Sequence, residues 1–155
     1  MTQKMSKRTI GRVDRIDFPE FELFDLPAKV DTGAYGNSIH CEEWEVTENS
    51  SGKTLHFKLQ PEGQKFSTSE YIVKPVKSSM GATEKRFVIQ TTAIIFATQY
   101  VIKMSLTKRS DMKYPVLLGR TLLNGNFIVD TASTNLSFRQ KNNPGKAILE
   151  TPKGN

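Results

Sequence analysis

Short extended runs, each closed by Gly, Pro, Asn or Ser, limit what this chain can fold into more than any other feature. Residues 9–18 alternate apolar and polar side chains with the period of two that a half-buried strand requires. Residues 38–46, 54–59, 86–95 and 99–106 repeat that habit, and 71–76 does so with Pro75, which belongs on a sheet edge. A second extended run follows Phe18-Pro19 and leads through Pro27 into residues 28–31. Residues 114–120 and 127–129 read as further strands, and so do 135–138. Helix material is confined to 121–126, where Asn124-Gly125 ends it. Strands at roughly 8–12 residue spacing indicate an all-β barrel or sandwich. No internal repeat, low-complexity tract or linker stands out, so one domain is expected over 1–140, with 141–155 as a loosely ordered tail.

Chemistry concentrates at Ala28-Lys29-Val30-Asp31-Thr32-Gly33-Ala34. Apolar residues lead into a single carboxylate, and a tight Thr-Gly turn follows it. A strand ending at Asp31 would fix its Cα, the Thr32 hydroxyl can bond nearby backbone, and Gly33 is expected at φ values closed to other residues. The same tripeptide also serves as ordinary turn chemistry, so its meaning depends on the rest of the chain.

Composition narrows the classes. No apolar run approaches the ~18 residues of a membrane span, and the basic start has no apolar stretch behind it, so a cytoplasmic protein is expected. The single Cys41 cannot form an intramolecular disulfide, in keeping with a reducing compartment. A net charge of +6 favours acidic partners. The basic residues are scattered, however, with no helix-turn-helix, zinc-finger or RNA-binding signature, and nucleic acid is not expected.

Two distant segments combine. Val30-Asp31-Thr32-Gly33-Ala34 lies early, and Pro115-Val116-Leu117-Leu118-Gly119-Arg120-Thr121-Leu122-Leu123 lies late. The pair resembles the retropepsins, single-domain aspartic proteases in which an apolar strand ending in Gly-Arg packs beneath the catalytic loop and precedes the only helix. Ser38-Ile39-His40, Ser79-Met80-Gly81 with Glu84-Lys85-Arg86, Arg109 through Met112, and Phe127-Ile128-Val129-Asp130 extend the resemblance over roughly 9–131. They resemble the retropepsin-like proteins labelled ATP-dependent zinc proteases, which are associated with RimK-type ATP-grasp glutamate ligases.

The resemblance implies a closed, retropepsin-like β-barrel with one short helix near the C-terminal part. It implies peptide-bond hydrolysis by an Asp-activated water on glutamate-rich chains made by the partner ligase. Asp31, Thr32 and Gly33 would form the catalytic loop, and a symmetric homodimer would bring two Asp31 carboxylates together. Arg86, Arg109 and Arg120 are candidate carboxylate binders, each with a structural ion pair as the alternative. The usual acidic partner of the Gly-Arg arginine is replaced here by Tyr35, which leaves the role of Arg120 open. Gly81 marks the tip of a hairpin that reads as a flap or as a plain surface turn. Phe127-Ile128-Val129-Asp130-Thr131-Ala132 imitates the aspartyl loop, but Ala132 would be strained at a positive φ, so a structural role is expected for Asp130.

The label itself finds no support in the residues. No phosphate-cradling Gly-x-x-x-x-Gly-Lys-Ser/Thr occurs, and His40, Cys41 and His56 lack metal-ligand spacing, so neither metal nor cofactor is expected. A buried histidine beside a buried thiol is the plainer account. The rivals to a peptidase are a protease-like module that binds acidic peptides or a ligase partner without catalysis, and a zinc hydrolase.

Overall fold

The computed structural model describes residues 6–77, 80–109 and 113–143. Most of the expected C-terminal tail lies outside them, as do Ser79 of the hairpin tip and 110–112 of the late connection. In chain order the strands are β1 (Arg8–Ile10), β2 (Val13–Phe18), β3 (Leu23–Val30), β4 (Asn37–His40), β5 (Glu43–Asn49) and β6 (Gly52–Lys58). They continue with β7 (Lys65–Thr68), β8 (Ile72–Lys77), β9 (Thr83–Ile95), β10 (Thr98–Thr107), β11 (Val116–Leu118) and β12 (Phe127–Val129). Helix α1 (Arg120–Leu123) lies between β11 and β12, and α2 (Leu136–Asn142) follows β12.

Six strands close into a barrel in the order β10-β4-β11-β3-β2-β9, and β9 pairs back onto β10. The fold is therefore the all-β, retropepsin-like closed barrel. Alternation places Ile89, Ala93 and Ile95 of β9 and Ile102, Met104 and Leu106 of β10 inside, where they meet Ile16, Ile39, Val116 and Leu118. Apart from Ala93, each such side chain contributes roughly 1.5–3 kcal/mol by leaving water. β8 adds outside β9 as an edge strand, where Pro75 is tolerated. A separate sheet, β5-β6-β7, joins the barrel through Phe21, whose ring lies 5.8 Å from Phe57 and 5.0 Å from Phe66.

Three local expectations change. The first expected strand is split at Gly11-Arg12, where the chain passes from pairing with β12 to pairing with β3; a Cβ on Gly11 would fall 2.2 Å from the Ser133 carbonyl oxygen, so glycine suits the crossing. The 38–46 run breaks after His40, so that β4 joins the barrel and β5 the side sheet. The expected strand at 135–138 is helix instead, giving two α-helices among the described residues rather than one. Asn135 takes a left-handed φ of 56°, and the Asp14 carboxylate from β2 accepts the N–H groups of Ser137 at 2.9 Å and Phe138 at 3.1 Å. That distant carboxylate caps the helix. Lys141 fastens the last turn by reaching Asp17 and Asp25, each at 2.7 Å.

Candidate active site

β3 and β11 run parallel with Val30 beside Leu118, so both strands end at the same rim of the barrel. The Asp31 N–H donates to the Leu118 carbonyl at 2.9 Å, and the preceding Val30 N–H donates to the Arg12 carbonyl at 2.9 Å. Backbone bonds from two sides thus hold the Cα of Asp31. Beyond it the chain turns tightly, with the Ala34 N–H donating to the Asp31 carbonyl at 3.2 Å. The Gly33 N–H donates to Asp31 Oδ1 at 2.9 Å, which orients the half-buried carboxylate.

Gly33 does not have the left-handed φ expected of it. Its lack of a side chain matters for space: a Cβ would lie 3.2 Å from Asp31 Oδ1, tight enough to displace the carboxylate. The expected strain at Ala132 loses its basis for the same reason, since the glycine it replaces is not at positive φ.

Gly119-Arg120 supports this loop from below. A Cβ on Gly119 would fall 2.2 Å from the Gly36 carbonyl oxygen and 2.8 Å from that of Ala34, so only glycine fits. The Arg120 N–H donates to the Ala34 carbonyl at 2.9 Å, and Arg120 Nη1 donates to the Thr32 carbonyl at 2.9 Å. The guanidinium carbon also sits 5.8 Å from the centre of the Tyr35 ring. Tyr35 and Thr32 thereby supply the contacts left open by the missing acidic partner.

Asn37 completes the support and was not legible as a site residue. It is 3% exposed, its Oδ1 accepts the Gly119 N–H at 2.8 Å, and its Nδ2 donates to the Lys103 carbonyl and to Thr121 Oγ1. One amide thus ties β4, β10, β11 and α1 together. An amide side chain just ahead of the alternating run 38–46 was the available signal.

Beside the loop lies a groove of about 440 Å³, shared by Tyr35, Asn37, Lys74, Val88, Lys103 and Thr121. Lys74 and Val88 belong to the β8–β9 hairpin, which forms one side of it. Arg86 is the cross-strand partner of Lys74 and therefore shares its face. Gly81 near the hairpin tip has φ 84°, a backbone conformation that favours glycine.

Arg109 stands apart. The His40 N–H donates to the Pro115 carbonyl, which places His40 and Arg109 at the opposite end of β11, roughly 10 Å along the strand from Asp31. Arg109 Nε donates to the Tyr114 carbonyl at 3.0 Å and Nη1 to Ser38 Oγ at 3.4 Å. Its backbone N–H donates to His40 Nδ1, so the ring proton sits on Nε2, 2.6 Å from Glu42 Oε2. Cys41 is fully buried, and desolvation pushes its thiol up to about 11. His56 is engaged by Thr47 and Ser67. These donors do not fit a metal: among the described residues no three His, Cys, Asp or Glu side chains converge.

Asp130, past β12, forms its own turn. Oδ1 accepts the Ala132 N–H at 3.0 Å and Oδ2 accepts the Ser133 hydroxyl at 2.7 Å. Asp130 makes no hydrogen bond to Asp31.

Comparison with known proteins agrees with this architecture. A family model described as RimB-like, retropepsin-like aspartic endopeptidase RimB, matches residues 10–140. A Desulfotalea psychrophila protein named "Probable alpha-L-glutamate ligase" is 31% identical over 99% of this chain and 35% of its own length. A protein of the same name from Shewanella pealeana is 27% identical over 83% of this chain and 30% of its own length. The chain thus spans about a third of the length of these curated relatives. The crystal structure of a Legionella pneumophila protein of unknown function is 30% identical, with a TM-score of 0.64, covering 84% of this chain and 98% of that one. No described helix is long and apolar enough to cross a membrane. With an aspartyl loop on a Gly-Arg support at the rim of a closed six-stranded barrel, this chain belongs to the RimB-like family of retropepsin-like aspartic endopeptidases.

Proposed function

We propose that this chain is an aspartic-type peptidase that acts as a homodimer on glutamate-rich chains in the cytoplasm. The observation that carries the reading is the presentation of Asp31: its Cα is held by Leu118, and its Oδ1 is oriented by the Gly33 N–H. An aspartic peptidase needs two such carboxylates sharing one proton, because close like charges resist double ionisation. A second copy across a two-fold axis supplies the partner. One Asp31 then takes a proton from water while the protonated one hydrogen-bonds the peptide carbonyl; the water oxygen attacks the carbonyl carbon, and the amine leaves with a proton.

Acidic substrates follow from the ligase names of the relatives and from Lys74 and Lys103 in the groove, with Arg86 on the same hairpin face as Lys74. Arg120 acts through the loop and Gly81 through the hairpin. Arg109, being engaged at the far end of β11, serves the fold there.

The test is cleavage of a peptide bearing an oligoglutamate tail. Asp31→Asn is expected to abolish it while the circular dichroism and Tm stay those of the wild type; undiminished cleavage overturns the reading. A non-catalytic acidic-peptide module is the second reading, favoured by the basic groove and by a single chain that offers Asp31 no second carboxylate among its hydrogen-bond partners. It predicts that wild type and Asp31→Asn bind the tailed peptide equally and cleave nothing.

A further inference from the structure

The surroundings of Asp31 occur twice in this chain. Asp31 follows β3, which runs parallel to β11, and its N–H donates to Leu118; Asp130 follows β12, which runs parallel to β1, and its N–H donates to Ile10 at 2.9 Å. Leu118-Gly119-Arg120 and Ile10-Gly11-Arg12 are thus matching supports. Each glycine presses on the opposing turn: a Cβ on Gly119 would lie 2.8 Å from the Ala34 carbonyl oxygen, and one on Gly11 would lie 2.2 Å from that of Ser133. Each arginine N–H donates to the residue three past the aspartate, Ala34 or Ser133, at 2.9 Å. Each guanidinium Nη1 donates to the carbonyl of the threonine after the aspartate, Thr32 at 2.9 Å or Thr131 at 3.0 Å. The early Gly-Arg supports the late aspartate, and the late Gly-Arg supports the early one.

The copies differ at one informative place. Where the first has Ala34, the second has Ser133, whose hydroxyl closes on Asp130 Oδ2. Both oxygens of Asp130 are thus occupied, whereas Asp31 is held at Oδ1 alone. The second turn is built to stay shut.

Its connection to the first runs through Arg12. Arg12 is bonded on one side to Thr131 and Ser133, and on the other its carbonyl accepts the N–H of Val30, the residue before Asp31. We infer that Asp130 and Arg12 are positioning residues for Asp31: the closed Asp130 turn holds Arg12, and Arg12 holds the end of β3 that delivers the carboxylate. In its catalytic consequence this rests on the peptidase reading. The hydrogen bonds from Ser133 and Ala132 also lower the pKa of Asp130 below its ordinary 3.8, because both favour the ionised carboxylate.

The experiment follows amide hydrogen exchange by NMR in the full chain, together with kcat and KM on the oligoglutamate-tailed peptide. Asp130→Ala is expected to speed exchange at Val30 at least tenfold and to shift the Gly33 amide, while Ile89 and Met104 in the barrel keep wild-type rates. On the peptide it is expected to lower kcat about tenfold with KM unchanged. Asp130→Asn, which keeps an oxygen for the Ala132 N–H, is expected to restore most of both. If Asp130→Ala does not fold, Ser133→Ala is read the same way. Val30 and Gly33 amides that stay as in the wild type while those of Arg12 and Ser133 change overturn the inference. So does a uniform acceleration across the barrel. A wild type that cleaves nothing overturns the peptidase reading, and the exchange result then decides the positioning role alone.

Discussion

Arg120 donates from Nη1 to the carbonyl oxygen of Thr32 at 2.9 Å, so the residue after the buried Gly119 fastens the loop that carries Asp31. The contact is to backbone, and it makes Arg120 a positioning residue. Arg120→Ala is expected to lower kcat on an oligoglutamate-tailed peptide by about ten- to a hundredfold with little change in KM, because small displacements at a reacting group are expensive. Stability should fall by about 1.5–3 kcal/mol, the range for a hydrogen bond from a charged donor. Arg120→Lys should be intermediate, since an ammonium keeps the charge and loses the planar fork. A kcat for Arg120→Ala equal to that of the wild type would remove the role.

Asp14 sets a pH dependence of stability. Burial raises its pKa above the ordinary 3.8 despite the N–H groups of Ser137, Arg15 and Phe138 that favour the charged form. The folded chain therefore binds this proton more tightly than the unfolded chain, and the contribution of Asp14 to stability declines as pH rises from 3.8 through the raised value. Urea unfolding of wild type and Asp14→Asn across that window is expected to show the wild type losing ground to the variant with rising pH. The opposite slope contradicts the assignment. Asp14→Ala, which leaves the Ser137 N–H buried without an acceptor, should cost about 1–3 kcal/mol and loosen α2.

Cys41 should be chemically silent in the native state. Its thiol is fully buried, within 3.2 Å of the Glu43 carbonyl and 3.3 Å of that of Lys58, and its pKa is pushed up to about 11. Thiolate is the reactive species, so a disulfide reagent at neutral pH is expected to label the native protein at the rate of unfolding and the urea-unfolded protein at once. Rapid native labelling would mean that the β4–β5 corner opens.

Period-two alternation located most of the strands, because which side a strand residue faces is a local property. Turn residues likewise marked the hairpins and the edge position of β8 through Pro75. The two segments that carry the aspartyl loop and its Gly-Arg support were legible as motifs, each composed of contiguous residues. The repeat was not: its units are a few residues long, unequally spaced, and matched only through hydrogen bonds that cross between early and late chain. For the same reason motif position nominated Arg120, which does reach the Asp31 loop, and Arg109, which lies at the other end of β11, while it passed over Arg12, whose carbonyl accepts the Val30 N–H from across a whole hairpin.

What the sequence by itself determined is the all-β class, the strand that ends in Asp31 and the tight turn after it, since backbone periodicity and turn chemistry act over a few residues. Tertiary structure alone decided which groups meet. Residues 135–138 became helix because a carboxylate from β2 caps them. Gly33 is glycine for the room beside Asp31 Oδ1. Arg12 lies between the two aspartyl turns because β12 pairs in parallel with β1, in a small sheet of their own, and so brings the Asp130 turn against the chain entering β2. Such contacts depend on the folded path of the whole chain, which no local pattern of residues contains.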